Sequence, residues 1–369
     1  MKRPTMSVAI RNLAAGKMRT LFSVLGVAVA TLLLTFVVGL YRGWSEELVT
    51  YIRDTDAQIW VVGDGADSFF TPSLFFRTTL IEVQQTKGVT KVDELVGRPM
   101  KLRTADGRWD SYILGHNPEG SGGPVHVKKG SGTPKIGEIV IDDVLARTSG
   151  LDVGDEVSAG LRTLKVIGIS TGGNLVLAQL SFVNLEEARI LVGLGAVVNF
   201  ALISTDDPDV EAVRARVDAV PGVTAISAGT FASNSQKVLQ RSVLPILLVI
   251  VIMAVIVGTI VVGLTVYTAV IEKEREFGVL KALGVPGTGL LRVVFEQSLV
   301  CGAAGFVLGV VGAYFVSAVA QLFIPQVATL FRWQDIGLIL VATGLMSLVA
   351  GFLPMQRILR IDTLSVFKA

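Results

Sequence analysis

The stretch LFSVLGVAVATLLLTFVVGL, residues 21–40, contains no charged side chain. A helix needs about 20 predominantly apolar residues to cross the hydrocarbon core of a bilayer, and this run has that length. Lys2, Arg3, Arg11, Lys17 and Arg19 precede it. Basic residues followed by an apolar stretch and Ala28-Val29-Ala30 also fit the outline of a cleavable signal peptide. The run continues past that site to Leu40, too long for a signal core, so it reads as a membrane span.

Three further runs have the same character: 243–270, apolar from Leu244 to Val270; 290–323, with Glu296 and Gln297 near its start; and 336–354. Of the 369 residues 51% are hydrophobic and only 17% charged, below the roughly 25% charged residues of a soluble domain. Lys and Arg accumulate on the cytoplasmic side of membrane proteins. They occur before the first span, between the second and third (Lys273, Arg275, Lys281, Arg292) and after the fourth (Arg357, Arg360, Lys368), whereas the loop between the third and fourth offers only Arg332. The expected order is a cytoplasmic interfacial helix (1–20), a first span (21–40), an extracytoplasmic α+β domain (41–242), a second span (243–270), a cytoplasmic coupling segment (271–289), a third span (290–323), a short outer loop (324–335), a fourth span (336–354) and a cytoplasmic tail (355–369). The fold class is thus a cell-membrane protein with four transmembrane α-helices and a large α+β domain inserted between the first two.

The spans carry no ionisable residue at mid-depth, which argues against a proton- or ion-coupled carrier. Glu296 reads as a boundary residue. Gly302, Gly305, Gly309 and Gly312 stud the third span, and small residues at this spacing let helices approach closely. They fit packing within one subunit or against a second copy. Cys301, the single cysteine, excludes an intrachain disulfide and reads as a small packing residue.

In the region 41–242, strands are expected at Gln58–Val62, Glu138–Ile141, Leu164–Ile169, Gln179–Val183, Phe200–Ser204 and Val223–Ser227. Lys101–Thr104 and Arg108–Leu114 flank Ala105-Asp106-Gly107, a hairpin signal. Helical turns are expected at Thr79–Gln85 and through Leu145, with Asn184 capping a helix over Leu185–Val192 and Asp207-Pro208-Asp209 opening another. Pro118–Pro134 reads as a loop. His116 and His126 read as exposed loop residues rather than a metal or haem site. No catalytic motif and no phosphate-binding loop ending in Gly-Lys-Ser/Thr occurs. The chain is read as non-enzymatic, binding no cofactor or metal. The net charge of +2 gives no reason to expect nucleic acid as a partner.

Two cytoplasmic stretches stand out. Met6–Arg19 places Met6, Ile10, Leu13 and Ala14 on one helical face, suiting a helix in the membrane interface. Residues 271–284 begin charged, with Glu272 and Arg275 at pairing distance, and end apolar, with Phe277, Val279, Leu280 and Leu283 in need of a partner surface.

These stretches resemble the MacB/LolC/FtsX-like (type VII) permeases of ABC transporters. The likeness lies in Arg11-Asn12-Leu13 with Lys17 to Val27, in Glu272 to Gly284, in Phe295-Glu296, and in Pro354 to Leu364, where Thr363 replaces the family's usual Pro. Gly137 to Asp142 and Gly150 to Asp155 are similar too. The resemblance implies a permease subunit, paired with a second copy or a close relative, above a cytoplasmic ABC ATPase that uses the ATP. Glu272, Arg275, Glu276, Phe277, Gly278 and Leu280 would couple the ATPase to the spans, and the work would be export or extraction of an amphipathic or hydrophobic substrate outside the membrane. Membrane lipid and an extracytoplasmic adaptor are further partners the resemblance allows. Two alternatives stay open: FtsX-like transmission of ATPase cycles to an outer hydrolase, and a membrane-anchored receptor or adhesion module.

Overall fold

Ile59-Trp60-Val61-Val62-Gly63 forms β1, and all five residues are buried. Side chains alternate across a strand, so a strand buried on both faces must sit between two apolar layers. Trp60 and Val62 enter one core with Leu95, Phe200, Leu202 and Phe231. Ile59 and Val61 enter another with Val83, Ile203, Val213 and Val217.

The computed structural model describes residues 17–104, 107–175, 178–193, 195–272, 276, 278–279 and 286–352. In chain order these form α1 (Lys17–Asp54), β1 (Ile59–Gly63), β2 (Phe75–Phe76), α2 (Arg77–Gln85), β3 (Lys91–Arg103), β4 (Arg108–His116), β5 (His126–Gly130), β6 (Glu138–Asp142), α3 (Asp143–Ser149), β7 (Glu156–Ala159), β8 (Arg162–Thr171), β9 (Gln179–Asn184), α4 (Leu185–Val192), β10 (Val197–Val198), β11 (Phe200–Ser204), α5 (Val210–Asp218), β12 (Val223–Ser227), α6 (Ala228–Glu272), α7 (Gly287–Phe323) and α8 (Trp333–Phe352). The chain divides into a membrane unit (Met1–Arg42, Pro245–Ala320, Thr329–Ala369) and an inserted α+β unit (Gly43–Leu244 with Gln321–Ala328).

In the inserted unit the sheet runs β12-β1-β11-β3-β4-β9-β6-β8-β5, with β7 bridging β3 and β8. The expected hairpin is present, with Arg103 opposite Arg108, but β3 starts as far back as Lys91 because its first half also pairs with β11. A separate core beneath the far end gathers Val96, Ile113, Ile139, Leu145, Val157 and Leu164. Three short helices start on side-chain caps that occupy free backbone N–H groups. Asp142 accepts from Val144 N, Asn184 from Glu186 N and Asp209 from Ala212 N. The expectation of a loop over Pro118–Pro134 needs correction, since His126–Gly130 is an edge strand on β8. All five of its residues are exposed, so no apolar alternation announces it.

The membrane unit holds the four transmembrane helices, the apolar stretches of α1, α6, α7 and α8. Val27, Ala30, Val262, Val266, Val294, Met346 and Ala350 form its core. Met6, Ile10, Leu13 and Ala14 of the expected interfacial helix lie outside the described residues, as does the tail from residue 353.

Candidate functional site

Close helix packing in the membrane unit is made by glycine. A Cβ on Gly305 would lie 2.5 Å from Val27 Cβ, and one on Gly309 would lie 2.6 Å from Ala28 O. Gly302 likewise abuts Ser347, and Gly258 abuts Ala30 and Met346. The Gly305-xxx-Gly309 pair therefore seats α7 on α1 of the same chain, where small residues let backbones approach. Cys301 is buried in α7.

Polar groups within the unit are arranged in local pairs. Thr31 and Thr343 hydroxyls lie 3.2 Å apart in its interior. Arg292 Nε donates to Glu296 Oε1 at 3.0 Å, one turn apart near the start of α7, as befits a boundary residue. At the other end of the bundle Arg42 grips Asp335 through two bonds, Nε to Oδ2 at 3.0 Å and Nη2 to Oδ1 at 2.9 Å. This fork-to-fork geometry is among the stronger ion-pair arrangements. Sequence reading missed it. The signal was present, because Arg42 follows the first apolar run and Asp335 precedes the fourth, and a four-span topology brings those ends to one side.

Of the six residues singled out for coupling, Glu272 ends α6 and is exposed, Glu276 is helical and exposed, and Gly278 is helical and buried. Val279 beside them is 45% exposed. Arg275, Phe277 and Leu280 lie outside the described residues.

The two histidines are not alike, and one differs from expectation. His116 is buried at the end of β4, its Nδ1 3.0 Å from Asn117 O and its ring edge-on to Phe182. Burial holds its pKa below the ordinary imidazole value. Sequence suggested an exposed loop because Pro118 follows so closely; the sheet instead carries β4 through to His116. His126 is exposed and meets Asp54 Oδ2 at 3.2 Å.

A buried anchor in the inserted unit was also unannounced. Glu187 Oε1 and Oε2 accept from Arg162 Nε and Nη2, both at 2.8 Å, and Oε2 also accepts from Gly137 N at 2.9 Å. The guanidinium beside Glu187 holds its carboxyl below the usual range. One carboxylate thus fastens α4 to the starts of β6 and β8.

A four-span membrane protein with one large domain between the first and second spans is defined by these features. Comparison with known proteins narrows the class. Residues 20–220 match the family model of the MacB-like periplasmic core domain, and residues 248–363 match that of the FtsX-like permease C-terminal region. Two ABC transporter permeases of Mycobacterium tuberculosis, Rv2563 and Rv0072, are each 25% identical over 97% of this chain and 98% of their own length. A Methanocaldococcus jannaschii ABC transporter permease, MJ1507, is 23% identical over 55% of this chain and 54% of its own. Among solved structures, the periplasmic region of MacB from Actinobacillus actinomycetemcomitans aligns at 9% identity and a TM-score of 0.39, covering 50% of this chain and 94% of that one. The extracellular domain of the transporter YknZ aligns at 14% identity and 0.36, covering 46% and 98%. The chain belongs to the MacB/FtsX-like family of ABC transporter permeases.

Proposed function

We propose that this permease couples ATP hydrolysis by a separate cytoplasmic ATPase subunit to export or extraction of an amphipathic or hydrophobic substrate on the outer side of the cell membrane. Both termini and the 271–289 segment face the cytoplasm, and the inserted domain faces outward. Two permease copies, surrounded by lipid, work over the ATPases. The ATP is bound and consumed by the partner chain.

The observation that carries this reading is the continuity of two helices. α1 and α6 each run unbroken from an apolar span into the core of the inserted domain. Leu48, Tyr51 and Ile52 of α1 and Phe231, Ala232 and Leu239 of α6 belong to the aromatic cluster around Trp60. A push at Glu272 therefore has a helical path along α6, its hydrogen-bond ladder interrupted at Pro245. The spans offer no charged route for a polar solute, and pushing from outside needs none.

The test is to extract the tagged protein gently from its native membrane and identify what co-purifies. An ATPase subunit is expected with the native protein and should be lost when Glu272, Arg275 and Glu276 are charge-reversed together. Absence of any ATPase under conditions that preserve the permease pair contradicts the reading.

A further inference from the structure

The His116 ring at the end of β4 is 2% exposed. Its Nδ1 lies 3.0 Å from Asn117 O. A carbonyl oxygen only accepts, so Nδ1 carries the proton and Nε2 keeps a lone pair. Among the described residues that Nε2 is buried with no hydrogen-bond partner. Phe182 stands edge-on to the ring at 6.1 Å, and the loop 117–124 covers it. A Cβ on Gly123 would lie 2.6 Å from His116 Cε1 and 3.2 Å from Nε2. The loop backbone therefore rests directly on the edge of the ring that holds the free nitrogen.

The same loop is fastened on two sides. Ser121 N donates to Asp93 Oδ2 of β3 at 2.8 Å, and the Tyr51 hydroxyl of α1 donates to Gly122 O at 2.7 Å. Gly122 takes a φ of 91°, and a Cβ there would lie 2.5 Å from Leu95 Cδ2, so this seating needs glycine. Tyr51 also packs on Phe182, with ring centroids 5.7 Å apart. One loop thus joins α1 to the end of β4, above an imidazole whose free nitrogen can take a proton. Once protonated, Nε2 becomes a donor in an enclosure that offers it no acceptor, which is costly. Burial accordingly holds the His116 pKa below the ordinary value, with the Asn117 carbonyl and the charge of Asp93 working the other way. Asp93 is itself paired with Lys91 at 2.9 Å. The loop adds Glu119, which is exposed, and β9 adds only the neutral Phe182 and Asn184. Burial pushes the Tyr51 pKa up, so its hydroxyl stays a donor. His126, just beyond the loop, meets Asp54 of α1 at 3.2 Å. Protonation strengthens that pair and so acts in the opposite sense.

We propose that His116 and the loop 117–124 form an acid-released latch on α1: the neutral imidazole lets the loop lie closed with Tyr51 bonded to Gly122, and the imidazolium lifts the loop and frees that side of the helix. The sign follows from linkage. A histidine whose pKa is lowered in the closed state favours closure fully above the ordinary value of about 6.5, and that stability is lost as pH falls below it toward the closed-state value. What release does to substrate transfer rests on the permease reading. The latch itself works without an ATPase, so loss of the ATPase in co-purification would leave it standing, and failure here would leave the permease reading intact.

The test is hydrogen–deuterium exchange of the full chain in detergent micelles across about pH 5 to pH 8, with labelling times scaled to the intrinsic exchange rate at each pH. Protection of residues 117–125 and 48–54 should fall together on acidification, by up to about tenfold per pH unit below about 6.5. His116→Asn, which keeps a side-chain N–H but takes up no proton, should abolish that fall. His116→Phe serves the same purpose if the first variant is unstable. Tyr51→Phe should leave the acid response of residues 117–125 in place and remove it from 48–54. His126→Gln should leave both responses unchanged. No acid response in the native chain, an undiminished response in a folded His116 variant, or a response that disappears in His126→Gln would overturn the proposal.

Discussion

Gly309 sits where α7 crosses α1 with no space for a side chain. A Cβ there would meet Ala28 O at 2.6 Å and Leu32 N at 3.0 Å, both backbone atoms that cannot swing aside. Gly309→Leu should therefore part the helices and cost about 1–3 kcal/mol or more, read as a lowered thermal unfolding midpoint in detergent. Gly337→Ala, where nothing lies within 4 Å, should leave the midpoint unchanged. Glu187 makes a different kind of prediction. Its folded-state pKa is depressed by Arg162, so its contribution is present above the ordinary glutamate value of about 4.3 and is lost as pH falls below it. Glu187→Gln should speed hydrogen exchange in α4 and β8 at pH 7 and flatten the further loss of protection on acidification. Unchanged exchange at pH 7 would mean the anchor is inert. Residues that act on near neighbours, such as the caps Asn184 and Asp209, were legible in the sequence. Glu187 and Arg162 were not, because a bond across 25 positions leaves no local pattern.

Among the elements, α1 and α6 carry the most weight. Their apolar runs were plain in the sequence, but their extension into the inserted domain was not, because the continuing turns of α1 mix Arg42, Glu46 and Glu47 with the buried Leu48, Val49 and Ile52. Such a mixture reads as a soluble surface until the aromatic cluster that receives it is known. The strands β1, β11 and β12 were legible because each is a compact apolar run, whereas β5 was not, being exposed throughout. α6 also contains Pro245, which lacks the N–H for a bond to residue 241 and so marks where bending is easiest. At the coupling segment Gly278 is helical and buried. Gly278→Pro should break that helix, since proline costs a helix interior about 3 kcal/mol. Membrane insertion and ATPase co-purification should persist while substrate transfer is lost. Normal transfer by a well-expressed Gly278→Pro protein would remove the segment from the mechanism.

For the whole molecule, composition was informative about class and silent about cargo. Four apolar runs and the distribution of Lys and Arg were enough to expect the topology. The glycines of α7 could not be allotted from sequence to internal or intermolecular packing, since spacing alone serves both; their contacts with α1 and α8 now account for Gly302, Gly305 and Gly309 within one chain. A second permease copy, if it packs in the membrane, has to use other surfaces, and exposed apolar residues such as Leu33, Ile256, Val307 and Phe315 are available. Gly305→Ala should accordingly weaken the single chain's own fold before it affects pairing, which size-exclusion chromatography against thermal unfolding separates.

In the proposed mechanism, events at the ATPase reach the inserted domain through α1 and α6. Hydrogen–deuterium exchange on the purified permease–ATPase complex, with and without a non-hydrolysable ATP analogue, tests it most directly. Altered exchange is expected not only in residues 271–289 but also around Leu48–Ile52 and Phe231–Leu239. Changes confined to residues 271–289, with the inserted domain identical in both states, would contradict it.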